Sequence, residues 1–146
     1  MAASAEFHVS GADRLIADLT AGAEKVTPLL QVAVDGVAVE LRSATQRNAH
    51  GRPGPNAVTS DYIASWRSGP FDESNRDRGP GEEIAAASVY SDQAQAHRLE
   101  FGWTGTDSLG RNVEAPPYAH LGPAIDAVKP LYKQAMDAVQ DTAVDW

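Results

Sequence analysis

The most informative part of the sequence is residues 96–128, AHRLEFGWTGTDSLGRNVEAPPYAHLGPAIDAV. A short apolar run ends at Gly102, a polar segment with two further glycines follows, and a Pro-Pro pair precedes the last part of the chain. Glycine adopts backbone angles that other residues avoid, whereas proline fixes φ and favours an extended residue before it. The stretch therefore predicts a turn after Phe101, an exposed loop over residues 103–114 and a stiff approach to a C-terminal helix.

A second feature is the apolar pattern of residues 11–48, where hydrophobic side chains recur at spacings of three and four. This is the pattern of an amphipathic helix. Pro28 either kinks one long helix or begins a second one, with Thr27 as its N-cap. Two interpretations of this apolar stripe stay open. It packs on a sheet of its own domain, or it packs on another subunit. Gly36, a poor helix residue, is interpreted as a point of close approach to a neighbour.

The other elements follow from shorter patterns. We predict strands at residues 5–9, towards the end of 61–68 and at 83–91. A short helix is expected over residues 93–101, capped by Asp92 and ended by Gly102, and a last helix over residues 123–144. Residues 49–60 and 68–82 are expected to form loops. Trp66 is expected in the core. Residues 1–146 then form a single α+β domain, in which a small antiparallel sheet carries the long N-terminal helix and the C-terminal helix, with long exposed loops.

The composition excludes several classes of protein. The chain of 146 residues has no cysteine, so disulfides, thiolate catalysis and zinc–thiolate sites are absent. No apolar run approaches the roughly 20 residues that a membrane span needs, and the N-terminus does not resemble a secretion signal, so a cytoplasm is the default compartment. The net charge of −8 argues against gripping nucleic-acid phosphates. An acidic surface serves solubility, or it lets DNA slide past.

Few residues suggest chemistry. His97 and Glu100 lie one helical turn apart, the spacing of a metal-binding pair, but contacts within the helix explain the same residues. The chain has no nucleophile elbow, phosphate loop or dinucleotide fingerprint. The acidic pairs at residues 72–73 and 82–83 fall in or beside loops, where a catalytic pair would be poorly held. Trp103 and Trp146 are aromatic groups that a lone domain would struggle to cover, which favours interface roles.

Several short strings, taken in order, resemble the head–tail joining proteins of long-tailed bacteriophages, also called neck or tail-completion proteins. They are residues 59–66 (TSDYIASW), 89–91 (VYS), 97–102 (HRLEFG), 115–118 (APPY) and 122–124 (GPA). The sequence departs from the family pattern at Ser60, where glycine is usual, at residues 94–97, where a tyrosine-alanine step is usual, and at residues 118–121, which replace a phenylalanine-leucine pair.

The resemblance implies a virion structural protein of a siphophage neck, with no enzymatic activity, no cofactor and no metal. Copies would form a six-fold ring that joins the portal–adaptor complex of the head to the tail-tube protein. Genomic DNA would pass through the lumen without specific binding, and assembly would take place in the bacterial cytoplasm. Such rings need contacts in which one surface meets a different one on the next copy.

The residues expected at subunit or ring interfaces lie mainly in the two loops. They are Trp103, Thr104, Asp107, Leu109, Arg111 and Asn112 in the first, Phe71, Arg76 and Arg78 in the second, and Trp146 at the end of the chain. Two other functions stay open: a small metal-dependent hydrolase that uses His97 and Glu100, and a monomeric adaptor that binds one partner through the Trp103 loop.

Overall fold

A long N-terminal helix organises the computed structural model, which describes residues 12–57, 60–71 and 85–144. This helix, α1 (Ala12–Ala49), runs for 38 residues without interruption. Pro28 lies inside it, so the helix is single and no second one begins at Thr27. At 1.5 Å per residue α1 spans about 57 Å, which is longer than a domain of this size needs for its core.

The main packing is between α1 and the C-terminal helix α4 (Leu121–Val144). Ala44 of α1 meets Ala124 and Val128 of α4 in a buried cluster, and Val37 and Leu41 pack against it. Small side chains at Ala44 and Ala124 let the two backbones approach closely. Val37, Leu41 and Ala44, which belong to the predicted stripe, therefore pack against another helix of the same chain.

Six shorter elements complete the described part of the fold. They are the helices α2 (Ser60–Ala64) and α3 (Gln95–Phe101) and the strands β1 (Arg67–Pro70), β2 (Ala87–Tyr90), β3 (Trp103–Thr106) and β4 (Asn112–Ala115). A second buried cluster contains Ala49, Tyr62 and Trp66, with Leu99 and Leu121 packed against it. The prediction that Trp66 lies in the core is confirmed.

The strands form two separate antiparallel pairs. β1 pairs with β2, with Arg67 opposite Tyr90, and α1 packs on both strands. β3 pairs with β4, with Trp103 opposite Ala115. The α+β class is confirmed, with its strands divided between two small sheets.

Three sequence predictions need correction. The presumed loop of residues 103–114 is a β-hairpin, because β3 pairs with β4 and only residues 107–111 form the turn. Half-buried and exposed residues alternate along both strands. Asp92 does not cap the short helix, which begins at Gln95 after Ala94 and has no side-chain cap. The strand predicted at residues 83–91 is shorter and corresponds to β2. Residues 83–84 of that prediction, and the whole strand predicted at residues 5–9, lie outside the described residues.

Among the described residues, no atom lies within 4 Å of the position that a Cβ would occupy on Gly36, so the close approach expected there is not made within this part of the chain. Among the described helices, none has both the length and the apolar composition needed to cross a membrane.

Candidate functional site

The most elaborate polar cluster is centred on the carboxylate of Glu100, at the end of α3. Its Oε2 accepts hydrogen bonds from the backbone N–H groups of His120 at 2.9 Å and Leu121 at 3.0 Å. Its Oε1 accepts one from Gly122 at 2.8 Å. The first amides of a helix have no partner within the helix and carry partial positive charge. Glu100 therefore caps α4 from a distant part of the chain.

His120 connects this cap to the core. Its side chain is fully buried, with Nδ1 3.1 Å from Glu100 Oε2 and 3.0 Å from the carbonyl oxygen of Tyr118. The Nε2 atom lies 2.8 Å from the hydroxyl of Tyr62. Both neighbours of Nδ1 are acceptors, so the hydrogen-bond network assigns the proton to Nδ1 and makes Tyr62 the donor to Nε2. Every polar atom of the ring is then satisfied.

The environment of the cluster shifts two pKa values. Burial of the Glu100 carboxyl favours its neutral form, but the backbone N–H groups of His120, Gly122 and Leu121, together with the His120 ring, outweigh this and hold the pKa of Glu100 below its ordinary value. Burial raises the pKa of the Tyr62 hydroxyl, and the charge of Glu100 raises it further. An ionised Glu100 and a protonated Tyr62 are the forms that the cluster stabilises.

The same cluster joins the ends of all four helices. The His120 ring stands edge-on to Trp66, with ring centroids 5.4 Å apart, and Asn48 of α1 donates from Nδ2 to the His120 carbonyl at 3.1 Å. Tyr62 belongs to α2 and Glu100 to α3. We call Glu100, His120 and Tyr62 the clamp. The side chains of Tyr62 and His120 are buried, and that of Glu100 is 9% exposed, so the clamp is placed to hold these elements together.

Backbone contacts next to the clamp hold the base of the hairpin. Gly102 follows α3 directly, with a φ of 79°, and a Cβ there would lie 2.9 Å from the carbonyl oxygen of Ala115. The Tyr118 N–H donates to the Leu99 carbonyl at 2.6 Å, next to the end of β4. Both strands of the hairpin are thus fastened to α3 at their base.

The hairpin itself is ordered by its own side chains. The Trp103 ring lies over Gly105, where a Cβ would come within 2.5 Å of Cζ2, and the Arg98 guanidinium stands 4.8 Å from the ring centroid. Trp103 is therefore half-buried by its own chain, which corrects the expectation that a lone domain would leave it uncovered. Thr104 and Asn112 lie on the opposite, exposed face.

Asp107 builds the tip of the hairpin. Its Oδ1 accepts from the N–H groups of Leu109 and Arg111, both at 2.9 Å, and its Oδ2 accepts from the Arg111 side chain at 2.7 Å. These hydrogen bonds, led by those of Arg111, lower the pKa of Asp107. The turn presents Leu109 to solvent, with 74% of its surface exposed.

The structure thus brings together six of the residues predicted at interfaces, those from Trp103 to Asn112, on one hairpin. Phe71 lies elsewhere, half-buried beside a groove between α1 and the β1–β2 sheet. Arg76, Arg78 and Trp146 lie outside the described residues.

The proposed pair of His97 and Glu100 is replaced by the pair of His120 and Glu100. Both oxygens of Glu100 are engaged by α4, and the His97 ring packs against Phe101 with centroids 4.9 Å apart. No group of three metal-binding side chains occurs within residues 12–57, 60–71 and 85–144. Among the described residues that line the groove beside Phe71, Asp35 is the only ionisable one.

The sequence analysis missed the roles of His120 and Tyr62. One signal was present: residues 118–121, YAHL, contain no Ser, Thr, Asp or Asn to cap the last helix, so its cap had to come from elsewhere in the chain. Comparison with protein-family models, curated proteins and solved structures found no match to this chain.

Proposed function

We propose that this chain is a structural virion protein of a siphophage neck, which forms a ring between the portal–adaptor complex of the head and the tail tube. The observation that carries the proposal is the β3–β4 hairpin, which is firmly held at its base and presents Leu109 at its tip. The short sequence motifs resemble head–tail joining proteins, and this resemblance suggests the assembly in which the chain takes part. The hairpin is the element that we expect to make a contact in that assembly.

A projecting hairpin of four-residue strands is marginally stable on its own. Here the hairpin is held in one conformation by three features, which are the close approach of Gly102 to Ala115, the Arg98–Trp103 contact and the hydrogen bonds of Asp107. An element that is ordered before binding loses less conformational entropy when it docks. The exposed leucine at its end therefore suits a contact with an adjoining ring.

The charge of the chain suits the same role. With a net charge of −8, a ring of such subunits repels the phosphates of DNA and lets the duplex pass without being gripped. A ring that conducts DNA needs no catalytic group and no cofactor. The buried state of the clamp and the engagement of Glu100 by α4 are in keeping with this proposal rather than with a hydrolase that uses His97 and Glu100.

The test is made in the phage particles released by cells that carry this gene. Mass spectrometry of purified particles should find the chain, and gold-labelled antibody should mark the junction of head and tail. Loss of the gene should leave filled heads and free tails that do not join. If purified particles lack the chain, the proposal is wrong.

The role of the hairpin is tested by complementation with Leu109→Asp. The fold should be unaffected, because Leu109 is exposed, whereas joining of heads to tails should fail. Leu109→Met keeps an apolar tip and serves as the matched control that restores joining. If Leu109→Asp gives normally joined particles, the hairpin is not part of the contact.

A further inference from the structure

An apolar strip runs along α1 on the side away from α4. Leu29, Val32, Gly36 and Val39 follow one another at spacings of three, four and three, which we call the α1 strip. Since each residue turns the helix by about 100°, these four share a side that differs from that of Val37, Leu41 and Ala44. Leu29, Val32 and Val39 are exposed, Val32 to 71%. This spacing is that of residues that pack one helix on another.

Gly36 is the residue that the chain alone does not explain. Glycine is among the poorest residues for the interior of a helix, and no atom of the described residues lies within 4 Å of the position of its missing Cβ. Within the described part of the chain, no close contact requires the small side chain. A helix of another molecule that crosses α1 at this point would require it, because glycine lets two backbones come close.

α4 carries a second exposed apolar surface. Ile125 and Tyr132 are exposed and Met136 is half-buried on one side of the helix, and we call these three residues the α4 strip. Lys129 and Lys133 border the α4 strip, while their partners Asp126 and Asp137 lie farther around the helix.

The borders of the two strips are complementary in charge. Asp35 and Glu40 flank the α1 strip; Asp35 forms a hydrogen bond with Gln31 but no ion pair among the described residues, and Glu40 forms an exposed ion pair with Arg47 at 2.7 Å. The lysines beside the α4 strip are exposed and held only by surface ion pairs, which are weak. Acidic borders on one strip and basic borders on the other favour contact between the two strips over contact of either with itself.

We propose that the α1 strip of one copy packs against the α4 strip of the next copy, with Gly36 at the crossing point. Because the two surfaces differ, the contact is heterologous, and its repetition closes a ring when the rotation between copies allows it. This inference rests on the proposed ring and names the surfaces that form it.

The first test measures self-association of the purified full chain by analytical ultracentrifugation. Val32→Asp, which adds a charge to an exposed site, should leave the fold intact and weaken association by about tenfold or more. Phe101→Asp, at an apolar residue that is 70% exposed and lies outside both strips and the hairpin, is the matched control and should associate like the wild type. A wild-type chain that stays monomeric, or equal association of both variants, would overturn the inference.

Gly36→Ala supplies a sharper test. The substitution should raise the melting temperature of the monomer, because alanine is the better helix former and has room, yet it should lower the association constant. Unchanged or tighter association in this variant would contradict close packing at Gly36.

The pairing of the two strips is tested by charge reversal. One variant carries Asp35→Lys and Glu40→Lys, and the other carries Lys129→Glu and Lys133→Glu. Each alone should associate more weakly than the wild type, whereas an equimolar mixture should regain association, because each acidic border then meets a basic one on the other variant. A mixture as weak as its components would show that the strips do not pair. These measurements use the isolated chain, so their failure leaves the particle test of the proposed function independent.

Discussion

The carboxylate of Glu100 lies 3.1 Å from Nδ1 of the buried His120, and the same carboxylate accepts the first backbone N–H groups of α4. This relationship joins α3, and with it the hairpin, to the long C-terminal helix. A single side chain therefore links the stability of the fold to the placement of the surface that we propose for ring contacts.

Removal of the Glu100 carboxylate should be strongly destabilising. Glu100→Ala leaves the backbone N–H groups of His120, Leu121 and Gly122 without their acceptor and removes one of the two acceptors beside His120 Nδ1, at an expected cost of about 2–4 kcal/mol in the free energy of unfolding. Urea denaturation followed by circular dichroism measures it. Glu114→Ala, at an exposed carboxylate on β4, is the control and should change the free energy by less than about 0.5 kcal/mol. Equal effects in the two variants would show that the cap is energetically unimportant.

The stability should depend on pH in the acid range through Glu100. Its pKa in the folded chain is lower than its ordinary value of 4.5, so the folded state favours the ionised form. The stabilisation is present above about pH 4.5 and is lost as the pH falls through the folded pKa. Denaturation midpoints between pH 7 and pH 3 should therefore fall less steeply in Glu100→Gln than in the wild type. Parallel curves would count against this assignment.

Tyr62→Phe tests the other side of the clamp. The substitution leaves Nε2 of His120 buried without its donor and should cost about 1–3 kcal/mol. Because the pKa of Tyr62 is raised above its ordinary value of 10.0, its stabilising effect is present below about pH 10 and is lost as the pH rises through the folded pKa. Unfolding experiments at pH 7 and above pH 10 should show that the variant and the wild type converge in alkali.

Two glycines should respond to alanine with opposite signs. Gly36→Ala should stabilise the isolated chain by about 0.5–1 kcal/mol, because the helix is exposed there and no atom of the described residues lies within 4 Å of the added Cβ. Gly102→Ala should destabilise it by about 1–3 kcal/mol, because φ is 79° and the added Cβ would lie 2.9 Å from a backbone oxygen. Thermal unfolding at a concentration that keeps the chain monomeric measures both. Destabilisation by Gly36→Ala would indicate a contact within the chain that the structure does not show.

The long elements were predictable because their periodicity extends over many turns. α1 and α4 appear in the sequence as sustained spacings of three and four, and Trp66 as a core residue in a short apolar segment. The hairpin was missed for a physical reason. Its strands have four residues each and β3 contains glycine, so alternation over so short a length resembles a loop, and the turn is recognisable only through the hydrogen bonds of Asp107.

The sequence by itself determined the α+β class, the long amphipathic helix and the absence of thiolate chemistry, because these depend on composition and local spacing. The tertiary structure was needed to show that Glu100 pairs with His120 rather than His97, that Trp103 covers Gly105, and that Leu29, Val32 and Val39 of α1 are exposed. Such contacts join residues that lie far apart in the chain or depend on the conformation that the whole fold imposes, and local patterns carry no record of either.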